Sequence, residues 1–247
     1  MNSVLVTGGT GKLGKQFVDG FLRQGWHVYF TSTSQGKIDS LYAKYPQFEQ
    51  GKKLNGLKVK LDSIEEVHKL IRALKNANLT SIVNNARSLD SLKIEDDGFT
   101  KAEMFQKEFF MATVVPYELI KAFKSDLSTM VNISSMYSVV APNAELYDSD
   151  YSKSPVQYGV AKAAQNHLTK ELAVRFANEN IRVNSLSYGG FEGRVDEHFL
   201  AKYKKLCPLK RMLKEEEAFE HLFYLASERS SGMTGHNLVV DGGWSVW

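Results

Sequence analysis

Short hydrophobic, β-branched runs alternate along the chain with longer stretches in which apolar residues recur every three or four positions. The short runs predict strands and the amphipathic stretches predict helices. The predicted strands cover 3–8, 27–32, 57–62, 80–86, 129–135, 181–187 and 236–243. The predicted helices cover 12–24, 63–76, 101–124, 156–179 and 214–227. This alternation predicts an α/β protein with a Rossmann-type, doubly wound parallel sheet of about seven strands and helices on both faces.

The composition excludes several classes of function and leaves the predicted fold unchanged. Hydrophobic residues make up 43% and charged residues 24% of the 247 positions, and we expect a single domain over 1–247. A net charge of +3 without a dense basic run predicts no nucleic-acid partner. One cysteine, Cys207, excludes an internal disulfide and fits a reducing compartment. Dispersed histidines predict no metal site, and the lack of a long apolar run predicts no membrane span and a cytoplasmic location.

A glycine-rich segment directly follows the first predicted strand. Gly9, Gly11 and Gly14 have G-x-G-x-x-G spacing and open the first predicted helix. Glycines permit a tight turn and a close approach of backbone N–H groups to a pyrophosphate at the helix N-terminus. The segment therefore predicts a dinucleotide site, whose proposed contacts are Gly8, Gly9, Thr10, Gly11, Lys12, Leu13 and Gly14.

The end of the second strand bears on the choice of dinucleotide. Dinucleotide sites that take NAD usually place a carboxylate there to grip the ribose 2′-hydroxyl. This chain has hydroxyl residues at 31–34 instead, and Ser32 and Thr33 are the proposed contacts. Hydroxyls can donate to a 2′-phosphate that a carboxylate would repel, and Lys12 or Lys37 could add positive charge. We therefore expect NADP(H) to be favoured over NAD(H).

Two Tyr-x-x-x-Lys pairs occur in the chain, Tyr117 with Lys121 and Tyr158 with Lys162. Residues four apart are neighbours on any helix, so the spacing alone does not separate the two pairs. Only the second pair follows a strand that ends in serine, the segment VNISS that closes with Ser134 and Ser135.

In this order, the glycine loop, Asn84–Ala86, the serine-ended strand and Tyr158/Lys162 resemble the short-chain dehydrogenase/reductase family, compact single-domain branch. The resemblance covers nearly the whole chain and implies a nicotinamide-dependent oxidoreductase. It implies catalytic roles for Ser135, Tyr158 and Lys162, with Ser134 the weaker candidate serine. It also implies cofactor contacts at Asp62, Ser63, Asn85, Ala86, Tyr158, Lys162, Tyr188 and Gly189.

The residue types fit hydride transfer to a carbonyl. The alkoxide that forms needs a proton, and a phenol with an ordinary pKa near ~10 is a poor acid–base group at neutral pH unless positive charge favours its anion. Lys162 and the oxidised nicotinamide would supply that charge. Ser135 would hydrogen-bond to the substrate oxygen, and in the family the lysine also holds the nicotinamide ribose.

Four positions depart from the family pattern. Lys12 replaces a glycine of the usual loop, and Arg87 replaces the glycine of Asn-Asn-Ala-Gly. Ala112 stands where the family has a fourth catalytic residue, an asparagine, and Tyr188 stands where a proline usually precedes Gly189.

The sequence of the glycine loop is closer to that of nucleotide-sugar epimerases and dehydratases, which leaves such an enzyme as an alternative. A non-catalytic dinucleotide-binding sensor is the other alternative, suggested by Ala112.

Twenty-three positions separate Ser135 from Tyr158, more than compact members of the family commonly have. The surplus, 139–156, is polar and aromatic, and we expect it to contact a polar small-molecule substrate such as a sugar or sugar derivative. Its proposed contacts are Glu145, Tyr147 and Tyr151. The segment is also similar, more weakly, to bacterial members associated with flagellin glycosylation and sialic-acid-like sugar pathways. A solvated insertion without substrate contact is the alternative.

The helices predicted at 101–124 and 156–179 resemble those through which family members associate. The first carries more apolar residues than one buried stripe needs, namely Met104, Phe105, Phe109, Phe110, Val114 and Val115. We therefore expect a homodimer or homotetramer.

Overall fold

The protein, seen in a computed structural model, is described over residues 2–48, 52–148, 150–193 and 195–247, except for the side chain of Tyr151. Within these residues one sheet contains β1 (Ser3–Val6), β2 (His27–Ser32), β3 (Leu54–Lys58), β4 (Ser81–Asn84), β5 (Thr129–Ser135), β6 (Arg182–Tyr188) and β7 (Asn237–Val240). Every neighbouring pair is parallel, and the order across the sheet is β3-β2-β1-β4-β5-β6-β7. The predicted doubly wound sheet is confirmed.

Helices cover both faces of this sheet. They are α1 (Lys12–Arg23), α2 (Gln35–Lys44), α3 (Ile64–Ala73), α4 (Ala102–Phe109), α5 (Val115–Phe123), α6 (Val156–Arg175), α7 (Glu197–Leu206) and α8 (Ala218–Ala226). Apolar residues of α1, α2 and α8 form the core on one face. Those of α3, α5 and α6 form the core on the other face. None of the described helices is long and apolar enough to cross a membrane.

Helix α3 illustrates how the sequence sets an element. Its apolar residues recur every three or four positions: Val67 and Leu70, with Leu74 just after the helix, are buried, while Ile64 and Ile71 are half-buried. Ser63 caps the helix, since its Oγ accepts a hydrogen bond from the Glu66 N–H at 3.3 Å. A side-chain cap of this kind satisfies one of the N–H groups that the first turn leaves without a partner.

The sequence-based prediction was wrong for the third strand. It placed the strand at 57–62, whereas β3 runs over Leu54–Lys58. Asn55 and Gly56 are typical of a turn, but the sheet needs a residue without a side chain at 56. A Cβ there would lie 2.6 Å from Ile38 Cγ2 and 2.7 Å from Phe30 Cζ. Gly56 therefore allows α2 and β2 to pack closely on β3.

Three helical features also differ from the prediction. Helices α2 and α7 were not predicted, because both are polar and only Ile38 and Leu41 of α2 and Tyr203 of α7 are buried. The segment 101–124 is not one continuous helix, since a π-helical turn, Phe110–Val114, separates α4 from α5. Ala112 lies in this turn, and such turns often occur at functional sites.

Strands β1 and β4 are neighbours at the centre of the sheet. From β1 the chain adds β2 and β3 towards one edge, and from β4 it adds β5, β6 and β7 towards the other, so the strand order reverses between β1 and β4. In open parallel sheets, ligands bind beyond the carboxyl ends of the strands at this reversal. The segments that follow β1, β2, β4, β5 and β6 all emerge at that edge, and they carry most of the predicted site residues.

Candidate active site

One cavity of about 1530 Å³ opens at the carboxyl edge of the sheet. It is lined by the glycine loop after β1, the segments after β2, β4, β5 and β6, and the start of α6. Such a volume exceeds that of a usual small-molecule pocket and can accommodate a dinucleotide together with a substrate. The cavity brings together most of the residues proposed from the sequence.

The glycine loop leaves room only for backbone. Gly8 has φ +67°, and a Cβ there would lie 2.9 Å from Ala86 Cα. A Cβ on Gly14 would lie 2.2 Å from the Gly8 carbonyl oxygen. Gly9 faces the core, where a Cβ would lie 2.6 Å from Phe30 Cβ, and unlike Gly8, Gly11 and Gly14 it does not line the cavity. The loop and the start of α1 thus fit the pyrophosphate of a nicotinamide dinucleotide.

Thr7 joins the glycine loop to the segment after β4. Its Oγ1 accepts hydrogen bonds from the backbone N–H groups of Asn85 at 2.9 Å and Ala86 at 3.0 Å. The Asn85 amide in turn donates to the Thr7 carbonyl at 2.9 Å. Asn85 and Ala86 both line the cavity. These bonds fix the two walls between which a dinucleotide would lie.

The residues beyond β2 are not equally available to a ligand. Thr33 is exposed and lines the cavity, as does Lys37. Ser32 also lines the cavity but is buried, and its Oγ lies 2.7 Å from Thr10 Oγ1. Lys12 pairs with Glu215 at 3.0 Å and donates to the Glu192 carbonyl. Lys37 is therefore the better placed of the two proposed lysines to meet a ribose phosphate.

Asp62 and Ser63 have separate positions. Asp62 lines the cavity and pairs with Lys60 at 2.7 Å, a contact that raises the pKa of Lys60. Ser63 lies outside the cavity lining and serves as the cap of α3. Its proposed contact with the cofactor is accordingly not supported by its position.

The three proposed catalytic residues line the same cavity as the glycine loop. Ser135 ends β5, and its Oγ accepts a hydrogen bond from the Tyr137 N–H at 3.2 Å, which leaves the hydroxyl proton for another acceptor. Tyr158 and Lys162 lie one turn apart on α6. Gly159 lets this helix approach closely, since a Cβ there would lie 3.1 Å from the Tyr137 carbonyl oxygen.

Lys162 is buried, with 6% of its surface exposed. Its Nζ donates to the Ile133 carbonyl at 2.7 Å and to Gln165 Oε1 at 3.1 Å, so one of its three protons remains for a ligand. Burial, with a smaller contribution from Arg87, lowers the pKa of Lys162 to about 8, and Glu108 opposes the shift. An ammonium held in this way is still mostly charged at neutral pH.

Ser134, the weaker candidate serine, points elsewhere. Its Oγ donates to the Lys162 carbonyl at 3.4 Å, whereas Ser135 Oγ has no acceptor among the described residues. Ser135 is therefore the better placed of the two to hydrogen-bond to a substrate oxygen. Gln165 was not predicted from the sequence, although its position three residues after Lys162 puts both on one side of a helix.

The comparisons with known proteins agree with this geometry. A family described as enoyl-(acyl carrier protein) reductase matches residues 11–245. This chain belongs to the short-chain dehydrogenase/reductase family. The proteins that it matches include reductases and dehydrogenases.

Two curated relatives and one solved structure illustrate the similarity. The flagellin modification protein A of Campylobacter coli is 41% identical over 130 residues, which cover 52% of this chain and 51% of that protein. An NADH-dependent L-xylulose reductase of Ambrosiozyma monospora is 25% identical over 268 residues, covering 98% and 94%. The NADP complex of RhlG from Pseudomonas aeruginosa has the same fold, with a TM-score of 0.85, 22% identity and coverage of 99% and 96%. This chain thus spans about half the length of the first relative.

Tyr188 is a departure from the short-chain dehydrogenase/reductase pattern that the structure explains. Its phenol is buried against Phe191, with ring centroids 5.2 Å apart, and its hydroxyl donates to the Ala218 carbonyl. Burial raises the pKa of Tyr188 well above the ordinary value of a phenol. Tyr188 and Gly189 line the cavity, but the phenolic group of Tyr188 is buried in the core.

Ala112 is a second departure, and no polar side chain replaces the family asparagine at that position. Ala112 is buried in the π-helical turn. One turn earlier, the carboxylate of Glu108 is buried and accepts a hydrogen bond from Ser91 Oγ. Glu108 also acts on Lys162 through its charge. A buried acidic group is thus present near the lysine, on the helix that carries the asparagine in other members.

The long segment after Ser135 is folded rather than extended. Its 3-10 turn Ala144–Tyr147 packs against α7, where the rings of Tyr147 and Phe199 meet edge to face at 5.8 Å. Asp148 pairs with Lys202 and His198 of α7, and these contacts lower the pKa of Asp148. This part of the segment is therefore packed on α7, and its contact with a substrate stays a prediction.

The three proposed substrate contacts have different outcomes. Tyr147 lines the cavity, and its hydroxyl lies 3.2 Å from that of Tyr137. Burial and this tyrosine pair raise the pKa of Tyr137. Glu145 does not line this cavity; it is exposed beside a separate, smaller pocket next to Trp244 and Trp247. The side chain of Tyr151 lies outside the described residues.

Proposed function

We propose that the protein transfers hydride between NADP(H) and a carbonyl/alcohol pair on a sugar or sugar derivative. The single observation that carries the proposal is the shared cavity, which is lined by Ser135, Tyr158 and Lys162 together with the glycine loop. A bound nicotinamide would accept or donate the hydride. The intact set of three residues favours turnover over a cofactor-holding sensor, which has no need of an acid–base group.

The chain's own residues would handle the oxygen and its proton. Ser135 Oγ keeps its hydroxyl proton for the substrate oxygen, since its partner, the Tyr137 N–H, is itself a donor. Tyr158 is the acid in reduction and the base in oxidation. Lys162 holds positive charge beside the phenol and keeps one N–H for the ribose. Residues 136–142 after Ser135 and the α7 residues Phe199 and Tyr203 also line the cavity.

The preference for NADP(H) rests on Thr33 and Lys37. Both line the cavity beyond β2, and the described residues there carry no carboxylate. The test is Thr33→Asp, with Thr33→Asn as a neutral control of the same shape. Thr33→Asp should lower kcat/KM for NADPH at least about tenfold relative to NADH, because a carboxylate repels the 2′-phosphate. A wild-type enzyme that prefers NADH tenfold or more would contradict the proposal.

The sugar-like substrate is supported by the polar lining near Tyr147 and by the relatives described above. The test is a panel of ketoses, alditols, steroid ketones and acyl ketones followed at 340 nm, the absorbance of reduced nicotinamide. Tyr147→Phe should raise the KM of a ketose several-fold without changing cofactor affinity. Glu145→Gln is the matched control and should leave KM unchanged, since Glu145 faces the other pocket. Turnover of acyl or steroid ketones alone would contradict the proposal.

Steady turnover with added cofactor also separates this proposal from its alternative. A nucleotide-sugar epimerase or dehydratase would return the hydride within each cycle and would retain its cofactor through purification. A stoichiometric change at 340 nm on adding substrate supports an oxidoreductase with exchangeable cofactor. A nucleotide sugar converted without net cofactor change would support the epimerase class.

We also propose that the protein is a homodimer or homotetramer in the cytoplasm. Apolar side chains on α4 and α6 are exposed, among them Phe109 at 51% and Val160 at 52%. Exposed apolar patches of this kind are typical of interaction surfaces. Sedimentation should give a mass that is two or four times 27.8 kDa at micromolar concentration. A species of 27.8 kDa would contradict the proposal.

A further inference from the structure

Arg87 occupies a position next to the proposed catalytic tyrosine where other members of the family have glycine. Its guanidinium carbon lies 5.3 Å from the centroid of the Tyr158 ring. The side chain is exposed and lines the cavity. Arg87 makes no hydrogen bond or ion pair with any residue that the structure describes. A guanidinium has five N–H donors, and all five therefore remain for a ligand.

The segment that carries Arg87 is fixed on both sides. On the N-terminal side, Thr7 Oγ1 accepts from the N–H groups of Asn85 and Ala86. On the C-terminal side, the Gln157 amide donates to the Ser91 carbonyl at 2.8 Å, and Ser91 Oγ donates to the buried Glu108. Because Gln157 directly precedes Tyr158, the same bonds set Arg87 and the tyrosine relative to each other.

The charge of Arg87 has a cost in the absence of a ligand. It lowers the pKa of Lys162 and so disfavours the ammonium that the reaction uses. Its contact with the Tyr158 ring is a cation–π interaction at an exposed site, which is a weak stabilising contact. An anionic group that bound Arg87 would neutralise this charge and remove the repulsion.

The part of the cavity lined by Arg87 and residues of the segment 88–92 offers a place for such a group. The cofactor phosphates would lie at the glycine loop after β1, whereas Arg87 and the segment 88–92 follow β4. The described lining residues of 88–92 and α4 include a second cation, Lys107, and one carboxylate, Asp90, whose charge also acts on Lys60. Planar guanidinium groups bind carboxylates and phosphates through two parallel hydrogen bonds, which a lone ammonium does not.

We infer that Arg87 is a specificity residue that binds an anionic group, a phosphate or a carboxylate, on the substrate whose carbonyl or alcohol faces Tyr158. The inference rests on the proposed function and narrows its substrate class to acidic sugar derivatives. Arg87 selects the substrate and holds it, while Ser135, Tyr158 and Lys162 perform the reaction.

The experiment measures binding to the enzyme saturated with NADP⁺, which occupies the phosphate sites of the cofactor and cannot reduce a ketone. The probes are neutral D-ribulose, phosphate-bearing D-ribulose 5-phosphate and carboxylate-bearing 5-keto-D-gluconate, followed by calorimetry. At least one anionic probe should bind the wild-type enzyme about tenfold or more tightly than D-ribulose. The anion with the larger preference identifies the group that Arg87 binds.

Arg87→Gln should reduce that preference to within about threefold, and Arg87→Lys should give an intermediate value because it keeps charge but loses the second hydrogen bond. Affinity for NADPH should change less than twofold in Arg87→Gln. The matched control is Arg72→Gln, which removes the same charge from the last turn of α3, outside the cavity lining. Arg72→Gln should retain the wild-type preference.

Several results would overturn the inference. These are no preference for either anion, a preference that survives Arg87→Gln, or a loss of NADPH affinity in that variant. An equal loss of kcat with neutral and anionic ketoses would also overturn it, because Arg87 would then act on the phenol alone. Reduction of D-ribulose without any anion preference would leave the proposed function intact. An Arg87-dependent preference without hydride transfer would leave the inference intact and contradict the function.

Discussion

Two regions of this molecule carry the same Tyr-x-x-x-Lys spacing in different surroundings. On α5, Tyr117 is exposed, and Lys121 lies 5.6 Å from its ring and 2.7 Å from the Glu118 carboxylate. On α6, Lys162 is buried and donates to the Ile133 carbonyl and to Gln165. The α5 lysine thus finds its partners on its own helix, in contact with water, whereas the α6 lysine reaches into the end of the sheet.

The two pairs have the same spacing, but the electrostatic effect of the lysine on its tyrosine depends on the surroundings of each pair. An exposed ammonium paired with a carboxylate is screened by water and contributes little to a neighbouring phenol. A buried ammonium acts through a medium of lower dielectric constant, so its charge is felt more strongly. Tyr158 also faces a cavity that holds Ser135, while Tyr117 lies outside the cavity lining.

The tyrosines should give the largest contrast. Tyr158→Phe removes the proposed acid–base group and should lower kcat at least 100-fold, the usual scale for loss of general acid–base catalysis. Tyr117→Phe removes only an exposed hydroxyl and should leave kcat within about threefold. Steady-state kinetics with the best ketose and NADPH measure both. A reversed ranking would mean that the spacing on α5 is the functional one.

The lysines should give a smaller contrast in rate and a second one in stability. Lys162→Met removes the charge beside the phenol and should lower kcat roughly 10- to 100-fold, whereas Lys121→Met should leave it nearly unchanged.

Because the pKa of Lys162 is about 8 in the folded state and 10.5 unfolded, its ionisation opposes folding below pH 8. Wild-type stability should therefore rise, by up to about 3 kcal/mol, as pH increases from 8 to 10.5.

Urea unfolding of the cofactor-free enzymes at several pH values measures this effect. The rise between pH 8 and 10.5 should be smaller in Lys162→Met than in the wild type, and Lys121→Met should keep it. Parallel pH profiles for the wild type and Lys162→Met would show that Lys162 is not held as an unfavourable buried charge.

The sequence predicted the sheet because hydrophobic alternation and the glycine spacing are local signals. It also favoured Tyr158 and Lys162 over the pair on α5, because only Tyr158 and Lys162 follow a strand that ends in serine. In the structure these two residues line the cavity and the α5 pair does not. It could not predict that Glu145 faces a different pocket, that Ser63 is committed to a helix cap, or that the Ser32 hydroxyl meets Thr10. These outcomes depend on side-chain direction, which the spacing of residues does not encode.

The same limit explains the two features that sequence reasoning undervalued. Arg87 was visible as a departure from the family glycine, but its place over the Tyr158 ring follows from the loop bonds through Ser91 and Gln157. Gly56 and its neighbour are typical of a turn, yet they belong to β3 because Phe30 and Ile38 occupy the space of a side chain. Both depend on contacts between residues distant in sequence.

The groups that hold the two lysines should give the smallest contrast. Gln165 Oε1 accepts a hydrogen bond from Lys162 at 3.1 Å, and Gln165 is buried, so Gln165→Leu leaves the ammonium with only the Ile133 carbonyl. A hydrogen bond to a charged group contributes about 1.5–3 kcal/mol, but the lysine can recover part of this from the cofactor ribose. We therefore expect kcat to fall about 3- to 10-fold and the affinity for NADPH to change less.

Glu118→Gln removes the corresponding partner of Lys121 and should change the free energy of unfolding by less than about 1 kcal/mol, with kcat unchanged. Kinetics and urea unfolding of both variants measure the contrast, and an unaltered kcat in Gln165→Leu would show that the Ile133 carbonyl alone positions Lys162.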